Sequence, residues 1–200
     1  MLKILLRLKD RILDNATMFN MVRTITDSRS HNLEVIKKEL NAKKNEKILD
    51  IGCGLGNFSQ VTSGKYVGID TNKSFIKFAN QNYANKNKKF MLMDTTKLEF
   101  KDKSFDKTLF ISMLHHFSDE ESKIILREIQ RVTKKQLLML DLLPTDRRFV
   151  KFIYRMDRGS NIRTQKEQFR LVKKYFKIVK YKKFDTLMSV HSLILCKPLK

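Results

Sequence analysis

The chain of 200 residues is poor in cysteine, proline and glycine, and these shortages exclude several classes of protein. Its two cysteines, Cys53 and Cys196, are too few for a disulfide framework or a cysteine metal cluster. We therefore expect a reduced, cytoplasmic setting. Two prolines and six glycines leave no Gly/Ser/Pro-rich linker, and 42% hydrophobic residues suit one sizeable core. These observations favour a single domain over residues 1–200.

Long apolar stretches are also missing. None approaches the roughly 20 residues that a membrane-spanning helix needs. The first residues carry Lys3, Arg7, Lys9 and Arg11 among apolar ones, which argues against a signal-peptide core. No zinc-ligand pattern and no G-x-S-x-G elbow is present, so we expect neither a metal site nor a covalent serine nucleophile.

Acidic residues are outnumbered two to one, by 42 Lys and Arg to 21 Asp and Glu, for a net charge of +21. A lysine-rich composition can reflect the genome alone, so the distribution of charge is more informative than its total. Residues 142–183 carry 14 basic and 3 acidic residues, a net +11. This basic segment could face an anionic partner or form a solvated surface.

The most informative pattern is a glycine-rich turn between two short apolar strands. Residues 47–51 read as a strand that contains Asp50, and Gly52, Gly54 and Gly56 follow it directly. Glycines at this position let the backbone turn tightly and approach a ligand closely. A second predicted strand, 66–70, ends in Asp70, where a carboxylate can accept hydrogen bonds from both hydroxyls of a ribose. The pattern predicts a nucleoside-binding site.

The dinucleotide fingerprint G-x-G-x-x-G/A is the main alternative, but its third small residue would be Asn57. The pattern D-x-G-x-G-x-G resembles motif I of the class I S-adenosylmethionine-dependent methyltransferases instead. In that family the turn holds the amino-acid end of the cofactor. An acid at Asp50 would repel a pyrophosphate and suits a ligand with an ammonium and a sulfonium.

Three further stretches resemble the family in order and spacing. Residues 90–95 resemble its third strand, ending at Asp94, which the resemblance pairs with the adenine amino group. Residues 104–117 resemble the fourth strand and the loop that faces the transferring methyl, and 137–141 resemble the fifth strand. Within the family, the chain resembles the small methyltransferases of the quinone-biosynthesis type. The resemblance implies S-adenosyl-L-methionine as cofactor and the following contacts: Asp50, Gly52, Cys53, Gly54, Gly56, Asp70, Thr71, Asp94, Thr95 and Ser112.

The alternation of strands and helices predicts an α/β fold with a mainly parallel sheet covered on both faces. Periodicity and capping residues predict helices over 1–14, 32–40, 74–82, 119–132 and 164–175. Residues 176–184 and 188–196 are predicted to form an antiparallel pair. From the resemblance we expect a Rossmann-like three-layer sandwich of seven strands in the order 3-2-1-4-5-7-6, with the last strand antiparallel. Residues 1–40 would form an N-terminal helical cap and 142–163 a substrate-covering insertion.

Two histidines in the loop after the fourth strand are the candidates for a general base. Methyl transfer from a sulfonium chiefly requires alignment, and it can also require removal of a proton from the acceptor. We name His116 ahead of His115, with a packing role as the alternative for each. In the insertion, Tyr154, Arg158 and Arg163 are candidates for acceptor binding, and the alternative is a solvated basic surface.

The predicted function is transfer of a methyl group from S-adenosylmethionine to a small-molecule, lipid-linked or sugar-derived acceptor. The absence of an N-P-P-Y-type motif after the fourth strand argues against methylation of adenine, cytosine or glutamine amino groups. Three alternatives stay open: an RNA methyltransferase that uses the basic 142–183 face, a membrane-surface protein that docks through residues 1–14, and a non-catalytic cofactor binder. The sequence does not specify the oligomeric state.

Overall fold

The computed structural model describes residues 29–156, 159, 161–186 and 188–199. Helices and strands alternate through most of this range. The helices are α1 (Arg29–Leu40), α2 (Lys73–Tyr83), α3 (Asp119–Val132), α4 (Arg148–Met156) and α5 (Gln165–Val172), and the strands are β1 (Lys47–Ile51), β2 (Lys65–Asp70), β3 (Lys88–Leu92), β4 (Phe105–Ile111), β5 (Thr133–Leu142), β6 (Phe176–Asp185) and β7 (Val190–Pro198). Short 3-10 helices cover Asn57–Val61 and Leu114–His116. The helix predicted over 1–14 lies outside the described residues.

All seven strands join one sheet in the order β3-β2-β1-β4-β5-β7-β6, as predicted. β1 pairs in parallel with β2 and β4, and β7 runs antiparallel to both β5 and β6. The order of the strands reverses at β1: β2 and β3 are added on one side of it, and β4 and β5 on the other. In an open α/β sheet a ligand binds at such a switch point, at the carboxyl ends of the strands.

Alternating side chains of the central strands bury both faces of the sheet. On β5, Leu137 and Met139 pack with α3 and α5, whereas Leu138 and Leu140 pack with α1 and α2. A strand buried on both sides needs a continuous apolar sequence, which is why β5 reads Leu-Leu-Met-Leu. This two-sided core holds the central strand ends in fixed positions.

Side-chain caps set the starts of two helices, as the sequence predicts. Ser118 accepts a hydrogen bond from the Glu121 backbone, and Glu121 reaches back to Ser118, which forms a capping box at the start of α3. Thr164 and Glu167 do the same at α5. Each box satisfies amides that would otherwise lack partners in the first turn.

Two segments differ from the prediction. β3 ends at Leu92 rather than at residue 95, because Asp94 begins a turn by accepting hydrogen bonds from the Thr96 amide and hydroxyl. The insertion contains helix α4, which the sequence pattern did not predict. Among the described residues no helix is long and apolar enough to cross a membrane.

β6 forms one edge of the sheet and carries four exposed lysines: Lys177, Lys180, Lys182 and Lys183. Lys180 and Lys182 both form ion pairs with Glu39 of α1, at 2.7 and 2.6 Å. These pairs connect α1 to β6 at the edge of the sheet. They also lower the pKa of Glu39, although burial of this carboxyl group acts in the opposite direction.

Candidate functional site

The three glycines after β1 have different surroundings although all have positive φ angles. A Cβ at Gly52 would collide with the Met113 side chain, and one at Gly56 would lie 2.7 Å from the Phe90 ring. At Gly54, with φ of 52°, a Cβ would meet no atom within 4 Å. Gly52 and Gly56 therefore serve packing, and Gly54 borders open space that a ligand can approach.

Asp70 is connected to this turn by hydrogen bonds. Its two carboxylate oxygens accept from the amides of Gly54 at 2.9 Å and Asn72 at 2.8 Å. Burial raises the pKa of Asp70, and the backbone hydrogen bonds counteract part of that rise. Because each carboxylate oxygen has a second lone pair, Asp70 can still accept from ligand hydroxyls. Thr71, which follows it, is exposed at the carboxyl end of β2.

Asp50 lies beneath the turn, in contact with a tyrosine that the sequence analysis did not single out. Tyr66 donates its hydroxyl hydrogen bond to one Asp50 oxygen, and the other oxygen is buried without a hydrogen-bond partner among the described residues. Burial, together with the nearby charge of Asp70, raises the pKa of Asp50 to about 7, although the hydrogen bond from Tyr66 counteracts part of that rise. Since Asp50 has no exposed surface, its charge acts on the turn from below.

The predicted adenine contacts have contrasting environments. Asp94 is exposed, and the hydrogen bonds from Thr96 lower its pKa. Only one of its oxygens takes part in these bonds, so the other remains able to accept. Thr95 is buried. Cys53 is buried as well, with its sulfur packed against Gly68, and its thiol pKa is raised well above the usual range by burial.

The loop after β4 returns toward the glycine turn through Ser112. This residue has a φ of 53°, which is uncommon for a residue with a side chain, and its amide donates to Leu140 at 2.7 Å. The next residue, Met113, lies over Gly52. The strained turn at Ser112 thus directs the start of the loop to the carboxyl ends of β1 and β4.

The two candidate histidines occupy different positions. His115 is buried, and its Nδ1 lies 2.6 Å from Asp141 at the end of β5. Asp141 also accepts from the amides of Leu114 and Leu142, so its carboxylate ties the loop to β5. His116 is exposed, with its ring 4.2 Å from that of His115. Asp141 was identified from sequence only as the end of the fifth strand, and its partner in the loop gave no sequence signal.

Arg163, predicted to bind an acceptor, is buried against the same loop. Its guanidinium donates to the carbonyls of Leu114 at 2.9 Å and Phe117 at 2.7 Å and forms an ion pair with Asp119 at 2.8 Å. The amide of Asn161 adds a bond to the His115 carbonyl. The structure therefore engages Arg163 in holding the loop rather than directing it toward an open pocket.

Of the other two residues predicted to contact the acceptor, the structure describes Tyr154 but not Arg158. Tyr154 is half-buried, and its hydroxyl lies between the Leu143 carbonyl and the backbone of Val190. Its bonds fix α4 against the ends of β5 and β7. Arg158 lies outside the described residues. The structure thus brings together Gly52, Gly54, Asp70 and Met113 but does not place Tyr154 or Arg163 with free polar atoms toward them.

Comparisons with known proteins agree with this geometry. Residues 49–140 match the family described as "Methyltransferase domain". Demethylmenaquinone methyltransferase of Thermotoga maritima is 29% identical over 157 residues, which cover 74% of this chain and 66% of that protein. The human probable tRNA methyltransferase 9B is 34% identical over 92 residues, 45% of this chain and 19% of that protein.

A solved structure has the same fold over nearly the whole chain. Magnesium protoporphyrin IX methyltransferase from Synechocystis PCC 6803, with bound SAH, aligns with a TM-score of 0.72 at 18% identity and covers 94% of this chain and 96% of that one. The aligned part of this chain spans less than two thirds of each curated relative named above. The glycine turn and these sequence matches support a class I S-adenosylmethionine-dependent methyltransferase, and the strand order and the solved structure show the fold of that class.

Proposed function

We propose that this protein transfers a methyl group from S-adenosylmethionine to a small-molecule or lipid-linked acceptor. The observation that carries the proposal is the open space at Gly54, bordered by Asp70, at the switch point of the sheet. A site of this kind suits a nucleoside. The Thermotoga relative, which aligns over most of this chain, is named for demethylmenaquinone as its acceptor.

The residues at the turn fit the cofactor in three respects. Gly54 leaves room beside backbone amides, Asp70 offers oxygens for the ribose hydroxyls, and Asp50 is a buried carboxyl group that a cation bound nearby would shift to its ionised form. A buried Asp50 oxygen without a partner among the described residues fits a cationic ligand nearby. When bound, S-adenosylmethionine supplies a methyl group on a sulfonium. The sulfur is a good leaving group because it departs as a neutral thioether.

The protein's own contribution would then be alignment. The loop after β4 is held by Asp141, Arg163 and the amide of Asn161, so we expect it to keep its position as a ligand enters. Such fixed positioning is what an in-line displacement requires. For proton removal we propose His116, because it is exposed beside the buried His115. With an acceptor in hand, His116→Ala should lower kcat more than it weakens cofactor binding.

Calorimetry with S-adenosylhomocysteine tests the cofactor site. The wild-type protein should bind it, and Asp70→Asn should weaken binding because an amide offers one acceptor oxygen instead of two. Glu120→Gln is the matched control, since Glu120 is an exposed carboxylate whose ion-pair partner among the described residues is Lys123 on α3. No heat with this ligand, together with clear binding of a nicotinamide dinucleotide, would refute the proposal.

The acceptor can be identified with labelled cofactor and fractionated extract from the native cell. We expect the label to appear in a small-molecule or lipid fraction. Label in no fraction, despite measurable cofactor binding, would favour a non-catalytic cofactor binder instead.

RNA is a second candidate acceptor, favoured by two observations. One is the match to probable tRNA methyltransferase 9B. The other is a basic surface on α5, where an open depression of about 600 Å³ is lined by Thr164, Gln165, Lys166, Phe169, Arg170 and Lys173. Lys166, Arg170 and Lys173 recur at helical spacing on this face, and the Lys173 ammonium lies over the Phe169 ring.

Filter binding at two salt concentrations separates the two candidates. If RNA is the substrate, the double variant Lys166→Gln with Lys173→Gln should depend less on salt. The slope of log affinity against log salt concentration should become less steep by roughly 0.7 per lost phosphate contact. The control is Lys97→Gln with Lys101→Gln, two exposed lysines elsewhere. Equal salt dependence in both double variants would exclude the α5 face as an RNA surface.

A further inference from the structure

Helix α4 presents two large apolar side chains to solvent. Phe149 and Phe152 are 58% and 60% exposed, whereas Val150 on the inner face is buried. Ile153 and Tyr154 are partly buried on the same inner face as Val150. The outward phenylalanines are three residues apart, so they point to the same side of the helix. A contiguous exposed pair of this size marks an interaction surface.

Among the described side chains of α4, the other outward residues are all basic. Arg148, Lys151 and Arg155 are exposed around the two phenylalanines. Lys151 is 3.4 Å from the carboxylate of Asp146, and in the described part of the chain Arg148 and Arg155 form no ion pair. The outward face therefore combines two aromatic rings with positive charge, and helix α4 itself contains no acidic residue.

This helix is attached to the functional end of the sheet. The Tyr154 hydroxyl accepts from the Val190 amide at 2.9 Å and donates to a neighbouring backbone carbonyl, that of Leu143 being 3.2 Å away. Leu143 directly follows β5. The penultimate residue of β5 is Asp141, the partner of His115. α4 thus lies at the edge where an acceptor enters a site at the carboxyl ends of the strands.

We propose that the outward face of α4, defined by Arg148, Phe149, Lys151, Phe152 and Arg155, docks on an anionic lipid bilayer. The phenyl rings enter the boundary between headgroups and acyl chains, and the cations contact lipid phosphates, as in interfacial helices. Resting on the proposed function, this docking presents the site to an acceptor dissolved in the bilayer. The methyl acceptor would then belong to the class of membrane-dissolved lipids.

Charge and shape favour a bilayer over other partners. A second copy of the same face would bring like charges together, because this face carries three cations. A single-stranded nucleic acid stacks its bases on flat aromatic platforms along a groove, whereas α4 is a convex helix with its rings side by side. A convex basic and aromatic face suits a planar anionic surface.

Flotation of the full chain with vesicles tests the proposal. Vesicles of phosphatidylglycerol and phosphatidylcholine in equal parts should carry the protein to the top of the gradient, and pure phosphatidylcholine should carry far less. Phe149→Ser with Phe152→Ser should reduce the floated fraction by about tenfold, since binding scales with buried apolar area. Met91→Ser with Leu92→Ser is the matched control, because these side chains are exposed at the opposite edge of the sheet.

Arg148→Gln with Arg155→Gln should reduce binding to the anionic vesicles without changing the weak binding to neutral ones. S-adenosylhomocysteine binding and the thermal midpoint of each variant show whether the fold is intact, and they test the cofactor site independently of lipid. Unchanged flotation of the phenylalanine variant would overturn the proposal. Phenylalanine-dependent binding to RNA, with no binding to vesicles, would also overturn it.

Discussion

Replacing Arg163 with alanine should destabilise the fold rather than impair acceptor binding alone. Arg163 is 7% exposed, and its guanidinium donates to the carbonyls of Leu114 and Phe117 while pairing with Asp119. Without it, the carbonyls at both ends of the loop after β4 lose a charged donor. The loop that carries His115 and His116 would then be less firmly held.

The magnitude follows from these contacts. A hydrogen bond with a charged partner contributes roughly 1.5–3 kcal/mol, and the ion pair with half-exposed Asp119 adds less than about 1 kcal/mol. Partial replacement of the lost bonds by water leaves an expected loss of about 3 kcal/mol in the free energy of unfolding. For a chain of this length, that loss lowers Tm by about 6–12 °C.

Thermal unfolding without any acceptor is the assay. Arg170→Ala is the matched control, because Arg170 pairs with the same Asp119 carboxylate at 3.0 Å but its side chain is 64% exposed. Its effect should stay within about 0.5 kcal/mol. If Arg163→Ala left Tm unchanged and raised only the acceptor KM, the structural role argued for Arg163 would be refuted.

Three further substitutions test the turn and its acid. Gly54→Ala should weaken binding of S-adenosylhomocysteine in calorimetry, at a stability cost of about 1–2 kcal/mol from its positive φ. Gly56→Ala should destabilise the chain more in urea unfolding, because its Cβ meets Phe90 at 2.7 Å; equal costs would contradict this difference. Burial raises the pKa of Asp50 to about 7, so the folded chain keeps a proton that an unfolded Asp releases near pH ~4. Stability should therefore fall as pH rises from about 4 to about 7, and Asp50→Asn, which still accepts from Tyr66, should lack this dependence in urea titrations; identical profiles would argue against it.

The positions of the strands and of the glycine turn along the chain could be predicted because they depend on local signals. An apolar run followed by three glycines indicates a strand and a turn whatever the rest of the chain does. The capping boxes at Ser118 and Thr164 are equally local, since both partners lie within four residues. The resemblance to a known family supplied the strand order, which periodicity alone does not specify.

The contacts that hold the loop after β4 could not be predicted, because their partners are distant in sequence. Arg163 is 44 residues from Asp119, and Asp141 is 26 residues from His115. An arginine in a basic segment looks the same whether it is buried or solvated, and only the fold distinguishes the two. The contact between Tyr66 and Asp50 across neighbouring strands gave no signal for the same reason.

The lysines of β6 have a consequence for the behaviour of the protein at high concentration. An edge strand has unpaired backbone groups that another chain could extend into a larger sheet. Two molecules that approached each other along β6 would align rows of ammonium groups, of which Lys177 and Lys183 have no ion pair in the part of the chain that the structure describes. Repulsion between these lysines therefore opposes the pairing of two molecules through β6. Salt screens the repulsion, so we expect edge-to-edge association to become easier at high salt.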